Sequence, residues 1–314
     1  MYYIGIDLGG TNVHAGLVNE KGELLGQVNI PTPKGADAVA DAITQAARLS
    51  ADQAGVALSD VRSAGLASAG SIDPENGMVL HAWNLGLDHV PLSRMVSERL
   101  EMPTLLENDA NAAALGEFVA GAGRGYRSLA AVTLGTGVGC GAVLDSKLFT
   151  GFNYAGMEAG HMVIHRGGRE CTCGRRGCWE AYASATGLIR SVREAMEHHP
   201  DSALWRFAPT LEAVNGKTVF DAAEAGDPAA QAVLDDYLGD LACGIVNLIN
   251  ILQPEVLCIG GGISRQGEKL LRPLREVLDR EEFTRDSPRR TRLCVAKLRS
   301  EAGIIGAALV PVYR

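Results

Sequence analysis

The feature that most constrains the fold is a repeated arrangement of strand, glycine-rich turn and strand. Residues 2–7 form an apolar run typical of a buried strand, and Gly9-Gly10-Thr11 separates it from a second strand at 13–18. The arrangement recurs over residues 129–144, where Gly135-Thr136-Gly137 follows the first strand. Glycine allows backbone N–H groups to approach a ligand without interference from a Cβ atom. The recurrence predicts two related halves, each with its own glycine turn.

The rest of the chain alternates short apolar strands with helical patterns, which favours an α/β fold. Further strands are predicted at 23–30, 61–67, 104–107, 128–134, 142–144, 256–259 and 293–297. Helices are predicted at 36–54, 93–100, 110–120, 187–197, 218–225, 228–252, 270–278 and 302–310. We expect Gly135–Gly141 to be a turn and 151–177 to be rich in loops. The predicted domains are a smaller one of residues 1–107 plus 300–314 and a larger one of residues 108–299.

Charge and hydropathy exclude several classes of protein. The chain has 29 Lys and Arg against 37 Asp and Glu, and this net charge of −8 gives no general attraction to nucleic acid or to an anionic membrane. Apolar runs stay well short of the ~18 residues of a membrane span, and a strand pattern follows Met1 directly. We therefore expect a cytoplasmic protein with no nucleic-acid or membrane partner.

Cysteine spacing indicates a metal site. Three of the seven cysteines lie within residues 171–178, at Cys171, Cys173 and Cys178, which is unusual unless they share an ion. With His161 they form a set of three thiols and one imidazole, the donors of a closed tetrahedral zinc site. Four protein ligands leave no open position, so such a zinc is structural rather than catalytic. A disulfide and unrelated free thiols are the alternatives.

Three glycine turns are candidates for binding a nucleotide. Asp7, which could hold a hydrated Mg²⁺, precedes Gly9, Gly10 and Thr11, and no Lys-Ser or Lys-Thr follows as in a Walker P-loop. Two Gly-Thr turns could hold one polyphosphate from two sides, although each is also consistent with a plain tight hairpin. Gly261 and Gly262 lie between a strand and a helix, where glycines leave room for a base or ribose; an ordinary strand–helix turn is the alternative.

Candidate acid–base and sugar-binding residues follow the first half. Asn108 and Asp109 begin a predicted helix, where such side chains are usually caps. Between two phosphate turns, Asp109 could instead accept a hydroxyl proton while Asn108 positions the alcohol. Glu158 and His161 are three residues apart and share a face of a helical turn. One nitrogen of His161 could bind zinc while the other contacts a substrate hydroxyl.

Taken together, these motifs resemble the ROK sugar kinases, and in particular the bacterial glucokinases. The resemblance runs nearly end to end and is carried by DLGGTN, ENDAN, LGTGVGCG, EAGH and CTCGRRGCWE. It implies an actin/Hsp70-like ATPase fold, in which ribonuclease H-like α/β domains are duplicated around a central cleft. It also implies the use of ATP and Mg²⁺, a structural Zn²⁺, and assembly as a homodimer or homotetramer.

The resemblance assigns roles to individual residues, with Asp109 as the catalytic residue. The implied hexose contacts are Gly70, Asn84, Asn108, Asp109, Glu158, His161 and Glu180. The implied ATP and Mg²⁺ contacts are Asp7, Gly9, Gly10, Thr11, Gly135, Thr136, Gly137, Gly261 and Gly262. The implied zinc ligands are His161, Cys171, Cys173 and Cys178.

Three residues depart from the family pattern, all in segments that concern the sugar. Ala69 replaces a proline, Asp88 replaces a tryptophan four positions after Asn84, and Met157 replaces a small residue before Glu158. The implied reaction is ATP-dependent phosphorylation of a hexose at the 6-hydroxyl, with glucose as the expected hexose. Alternatives within the family are a kinase for N-acetylhexosamines, mannose or fructose, and a non-catalytic sugar-responsive regulator, which would carry a winged helix ahead of the first strand.

Overall fold

Strands and helices alternate along the chain in the computed structural model, which describes residues 1–82 and 85–314. The strands are β1 Tyr2–Leu8, β2 Asn12–Asn19, β3 Leu24–Pro31, β4 Val61–Ser68, β5 Ser71–Asp73, β6 Met78–Ala82, β7 Leu87–Val90, β8 Thr104–Asn108, β9 Leu129–Leu134, β10 Val138–Leu144, β11 Lys147–Phe149, β12 Val256–Gly261 and β13 Arg292–Val295. The helices are α1 Ala36–Gln53, α2 Leu92–Leu100, α3 Asp109–Val119, α4 Glu180–Ala183, α5 Ala185–His198, α6 Leu204–Phe207, α7 Thr218–Glu224, α8 Pro228–Leu252, α9 Glu268–Glu281 and α10 Glu301–Tyr313.

Two five-stranded sheets repeat one topology, and this repetition confirms the predicted related halves. The first has the order β3-β2-β1-β4-β8 and the second the order β11-β10-β9-β12-β13. In the first sheet β1, β2 and β3 are antiparallel neighbours, while β4 and β8 join in parallel. In the second, β10 and β11 are antiparallel while β12 and β13 are parallel. The two glycine turns therefore occupy equivalent places, between the first and second strand of each sheet.

The chain forms two compact units. The first comprises residues 1–131, 141–157 and 297–314, and the second comprises residues 132–140 and 158–296. These bounds differ from the division predicted at residue 107. The reason is that α3, just beyond residue 107, packs against α10 and thereby belongs to the first unit.

Helix α10 packs so closely on its neighbours that their backbones touch. A Cβ atom on Gly5 in β1 or on Gly65 in β4 would overlap a carbonyl oxygen of α10. One on Gly306 in α10 would overlap the carbonyl oxygen of Ala112 in α3. Residues 302–310 are buried throughout, as expected of a helix that is apolar on every side. This packing fixes α3, and with it the start of that helix, against the first sheet.

One predicted strand was wrong in extent. Strand β10 begins at Val138 rather than at 142, because the glycines there are strand residues and not a turn. Gly141 lets β10 lie close to the backbone of α3: a Cβ on Gly141 would lie 2.7 Å from the carbonyl oxygen of Ala110. After Gly262 the chain forms a 3₁₀ turn at Ile263–Gln266, and α9 contains the predicted helix 270–278 and extends it at both ends. The 3₁₀ turn and Gly267 therefore separate the glycine turn from α9.

A small sheet, β5-β6-β7, was not predicted, since its strands are only three to five residues long and carry little apolar alternation. Cys140 and Cys258 are buried as small core residues, while Cys243 and Cys294 are partly exposed. Among the described residues, none of the helices combines the length and apolar character that crossing a bilayer demands.

Candidate active site and the Cys–His cluster

The first sheet brings Asp7 and the start of α3 to the same edge. Asp7 in β1 is in register with Ala67 in β4, and Ala67 is in register with Glu107 in β8. All three strands run in parallel, so they end together, and Asn108 and Asp109 follow directly at this edge. The carboxyl ends of parallel strands are the usual place for ligands in α/β sheets.

Asp7 and Asp109 are both half-buried, and their pKa values reflect the desolvation of their carboxyl groups. Burial, together with the charge of Asp109, raises the pKa of Asp7 to about 6. Burial also raises the pKa of Asp109 above its ordinary value. The carboxylate of Asp7 packs closely against Gly303 in α10, where any side chain would collide with it: a Cβ on Gly303 would lie 2.8 Å from Asp7 Oδ2. Two such carboxylates can accept a proton or hold a hard cation.

Asn108 is the N-cap of α3, so the capping interpretation holds for this residue. Its Oδ1 accepts hydrogen bonds from the backbone N–H groups of Ala110, at 2.9 Å, and Asn111, at 3.1 Å. The Asp109 Oδ1 also accepts from the Ala110 N–H, at 2.9 Å. Both side chains are therefore held by the first turn of the helix.

Glu107 supports this turn, and the sequence analysis assigned it no role. It is fully buried, and its Oε1 accepts hydrogen bonds from the Asn108 N–H and from Asn111 Nδ2, each at 3.0 Å. Its Oε2 lies 3.8 Å from the guanidinium of Arg314. Glu107 is the second-last residue of β8 rather than part of α3, so no helical spacing marks it, and the sequence holds no local signal for this role.

Both glycine turns are tight and present exposed residues. In the first, the Gly9 N–H donates to the Asn12 carbonyl at 3.0 Å, and Thr32 Oγ1 donates to the Gly9 carbonyl at 2.8 Å. In the second, the Gly135 N–H donates to the Gly137 carbonyl at 3.0 Å. Gly10, Thr11 and Thr136 are exposed at the tips.

Glu180 is tied to the second glycine turn. Its Oε2 accepts a hydrogen bond from the Val138 N–H at 3.0 Å, and a Cβ on Gly137 would overlap that oxygen. Burial and the charges of Glu158 and Glu180 raise the pKa of the Cys140 thiol to about 12, so both carboxylates lie near one buried thiol. The structure thus brings Glu158 and Glu180 together within the second unit.

His161 and the three cysteines form one cluster whose ligand atoms all lie within 4.8 Å of one another. Zn–S bonds of about 2.3 Å and Zn–N bonds of about 2.0–2.1 Å in a tetrahedron place two sulfurs about 3.8 Å apart and a sulfur and a nitrogen about 3.6 Å apart. Cys173 Sγ and Cys178 Sγ are 3.7 Å apart, and Cys171 Sγ is 3.5 Å from His161 Nδ1. This arrangement matches a tetrahedral metal site.

A 3₁₀ turn connects the cluster to Glu158. The turn spans Ala159–His161, and the His161 N–H donates to the Glu158 carbonyl at 3.0 Å. A Cβ on Gly160 would overlap the carbonyl oxygen of Val138, so the turn lies directly on β10. The imidazole Nδ1 faces Cys171, so Nε2 is the nitrogen left for another ligand.

Comparison with known proteins places the chain in a family. The model of the ROK family matches residues 3–311. The chain belongs to the ROK family.

Relatives with an established name include the glucokinase of Thermotoga maritima, 41% identical over 98% of this chain and 96% of that protein. Among solved structures, the chain is similar to a ROK family glucokinase from Streptomyces griseus in complex with glucose and AMPPNP. That match has 34% identity and a TM-score of 0.80 and covers 98% of both chains. A ROK hexokinase from Thermus thermophilus matches with 33% identity and a TM-score of 0.85 over 99% of this chain and 97% of that one. The actin/Hsp70-like fold predicted for this ROK protein is confirmed.

Two further glycines of the ROK pattern adopt conformations that favour glycine. Gly70 has φ 97° and Gly261 has φ 84°, and a Cβ at either would also overlap a backbone carbonyl oxygen. Gly262 is exposed beside Gly261. Asn84 lies outside the residues that the structure describes.

The structure describes all three residues at which the sequence analysis noted a departure from the ROK pattern. Asp88 contacts two imidazoles, and the hydrogen bond from His89 in particular lowers its pKa. Met157 is half-buried with φ 64°, a left-handed conformation that an unbranched side chain tolerates at some cost. Ala69 follows β4 directly.

Proposed function

We propose that this sugar kinase transfers the γ-phosphoryl group of ATP to the 6-hydroxyl of glucose, giving glucose 6-phosphate. The observation that carries the proposal is the position of Asp109: a half-buried, desolvated carboxylate at the first turn of α3, close enough to Asp7 for its charge to raise the pKa of Asp7. Membership of the ROK family and similarity to named glucokinases support glucose as the acceptor.

Asp109 acts as the general base in this proposal. It accepts the proton of the 6-hydroxyl as the oxygen attacks the phosphoryl group, and burial raises its pKa and thus its basicity. Phosphoryl transfer depends mainly on positioning and charge stabilisation. Asn108, Glu158, His161, Glu180, Asn84 and Gly70 are proposed to orient the hexose.

The glycine turns are proposed to receive the phosphates. Gly9, Gly10 and Thr11 form one turn and Gly135, Thr136 and Gly137 the other, while Gly261 and Gly262 leave room for adenosine. Asp7 fits a Mg²⁺ ligand, since its carboxylate is half-buried at the sheet edge where Asp109 also lies, and a carboxylate oxygen is a ligand that Mg²⁺ prefers. When bound, Mg²⁺ would balance negative charge on the phosphates.

The Cys–His cluster fits zinc. Cys171, Cys173, Cys178 and His161 supply the donor atoms and the spacing of a closed tetrahedral site, in which zinc stabilises the fold of the loop. Binding through Nδ1 fixes the ring of His161, so that Nε2 can donate to or accept from a sugar hydroxyl.

The rival functions are a kinase for N-acetylhexosamines, mannose or fructose, and a sugar-responsive regulator without catalysis. Asp109 and both glycine turns favour catalysis over the regulator. We further propose a cytoplasmic enzyme that assembles as a homodimer or homotetramer, as the family resemblance implies.

The proposal is tested by incubating the purified protein with ATP, Mg²⁺ and ¹³C-labelled glucose and examining the product by NMR. We expect glucose-dependent release of ADP and phosphorylation at carbon 6. Phosphorylation at another carbon would contradict the assigned hydroxyl, and ATP consumption without a sugar phosphate would contradict the transfer itself.

A further inference from the structure

The hairpin of β6 and β7 gathers two imidazoles around one carboxylate. His81 and Asp88 are directly opposite each other in the two strands. Asp88 Oδ1 is 2.8 Å from His81 Nδ1 and 3.0 Å from His89 Nδ1, and the two rings meet edge to face at 4.9 Å. One oxygen is thus contacted by a nitrogen of each ring.

Backbone conformation produces this convergence. Side chains of consecutive strand residues point to opposite faces, so Asp88 and His89 would normally diverge. His89 instead has φ 50°, a left-handed conformation uncommon for residues other than glycine. Its ring therefore lies on the same side as Asp88 and His81.

The distances also suit three ligands of one ion. Metal–ligand bonds of about 2.0–2.1 Å place adjacent ligands of an ion roughly 2.8–3.4 Å apart, depending on the bond angle. The two N–O distances of 2.8 and 3.0 Å lie at the short end of this range. All three donor atoms lie within 4.8 Å of one another, as required for binding one ion.

We propose that His81, Asp88 and His89 form a second metal site, which binds a borderline divalent ion such as Zn²⁺, Ni²⁺ or Cu²⁺. Two imidazoles and one carboxylate suit these ions better than Mg²⁺ or Ca²⁺, which prefer oxygen ligands alone. The three side chains are 42%, 61% and 62% exposed, so water completes the coordination and the ion exchanges freely.

This site is separate from the Cys–His cluster, which lies in the second compact unit and offers three sulfurs. Thiolates bind zinc more tightly, so the hairpin site fills second. The chain between His81 and Asp88 contains Asn84, a proposed sugar contact, and a bound ion would join the two ends of this segment. That consequence rests on the proposed function; the metal site itself does not.

The test measures metal uptake without sugar or ATP. The purified protein is dialysed against Zn²⁺ and its metal content is compared with that of the double variant His81→Gln/His89→Gln. The matched control is His198→Gln/His199→Gln, which removes a histidine pair in the second unit. All three proteins should retain the zinc of the four-ligand Cys–His cluster. We expect the parent and the control to bind about one further equivalent of Zn²⁺ that the double variant does not bind. Equal uptake by parent and double variant would overturn the proposal.

A second measurement guards against misfolding of the variant. Because a ligand of the folded state raises stability, Ni²⁺ should raise the melting temperature of the parent and the control but not of the double variant. The melting temperatures without added metal should agree within the small effect of exposed substitutions. A rise of equal size in all three proteins would also contradict the site. If the parent protein takes up the extra equivalent of Zn²⁺ but shows no kinase activity, that result counts against the proposed function and not against the metal site.

Discussion

At the scale of single residues, the half-buried carboxylates of Asp7 and Asp109 determine what chemistry the first unit can support. Asp109 is held by the first turn of α3 through the N–H of Ala110, and its pKa is raised by burial. Asp7 lies near enough for the charge of Asp109 to raise its pKa. A buried carboxylate in this state is a better base than a solvated one.

Asp109→Asn should lower kcat by at least about 10²-fold, the scale expected for losing a general base. The amide has nearly the same shape, so the affinity for glucose should change only a few-fold. Steady-state kinetics and calorimetric titration with glucose measure the two effects. Asp145→Asn, an exposed residue on the surface, is the control. A variant with near-normal kcat would remove Asp109 from the mechanism.

Asp7→Asn should stabilise the folded protein while abolishing activity. The pKa of Asp7 rises from 3.8 to about 6 on folding, so ionised Asp7 destabilises the folded state above pH 6. Removing the charge should increase the free energy of unfolding at pH 7 by on the order of 1–3 kcal/mol. The gain should shrink as the pH falls below 6 and vanish below about 4, where the carboxyl is neutral in both states.

Denaturant unfolding of parent and Asp7→Asn at pH 7 and pH 4, in Mg²⁺-free buffer, measures this difference. The prediction fails if the variant is no more stable than the parent at pH 7, or if the gain is the same at both values.

Sequence alone predicted the residues with a strong local signal. The Cys–His set and the Asn108 cap depend on neighbours in the chain, and both predictions agree with the geometry found. Glu107 was missed because its burial depends on packing. Glu117 accepts hydrogen bonds from the backbone of Lys297 and Leu298, and no local pattern indicates so distant a contact.

At the scale of elements, α10 illustrates why glycine positions were hard to interpret. The glycines in the turns were read as ligand contacts, whereas Gly5, Gly65 and Gly306 allow a helix to touch its neighbours. Both uses remove a Cβ, and only the fold distinguishes them. The same ambiguity led to the wrong start for β10.

Gly306→Ala should destabilise the protein by at least about 1–3 kcal/mol, since its Cβ would overlap the carbonyl oxygen of Ala112 and force the helices apart. Gly239→Ala in α8 is the matched control, because its Cβ meets nothing within 4 Å. That change should stabilise by up to about 1 kcal/mol through helix propensity. Thermal or denaturant unfolding of both variants provides the comparison, and similar effects of the two substitutions would contradict the close packing of α10.

Cys173→Ser should lose the metal of the Cys–His cluster and, with it, most of the affinity for glucose. The reason is that the ion holds the ring of His161, and the surrounding ligands depend on that position. Metal analysis and glucose titration measure the two losses, with Cys243→Ser, a cysteine outside the cluster, as the control. A parent protein that is active without any bound metal would contradict this role.

At the scale of the whole molecule, the duplicated sheet order is the part of the fold that the sequence predicted best. Each half begins with a strand, a glycine turn and a strand, and these repeat in the same order in both sheets. The small sheet β5-β6-β7 escaped prediction because strands this short take their pairing from the surrounding fold. It also holds Asp88, where the resemblance to the ROK sugar kinases implies a tryptophan.

The central claim is that the acceptor is glucose, and a coupled ADP-release assay across hexoses and N-acetylhexosamines at matched concentrations tests it most directly. Asp88 contacts two imidazoles, and it stands where the resemblance to the ROK sugar kinases implies a tryptophan, on which an acetamido methyl could pack. We expect kcat/KM for glucose to exceed that for N-acetylglucosamine and N-acetylmannosamine at least about tenfold, or roughly 1.4 kcal/mol of transition-state binding. An N-acetylated sugar as the best substrate would contradict the glucose assignment, and no sugar-dependent ADP release would contradict the kinase.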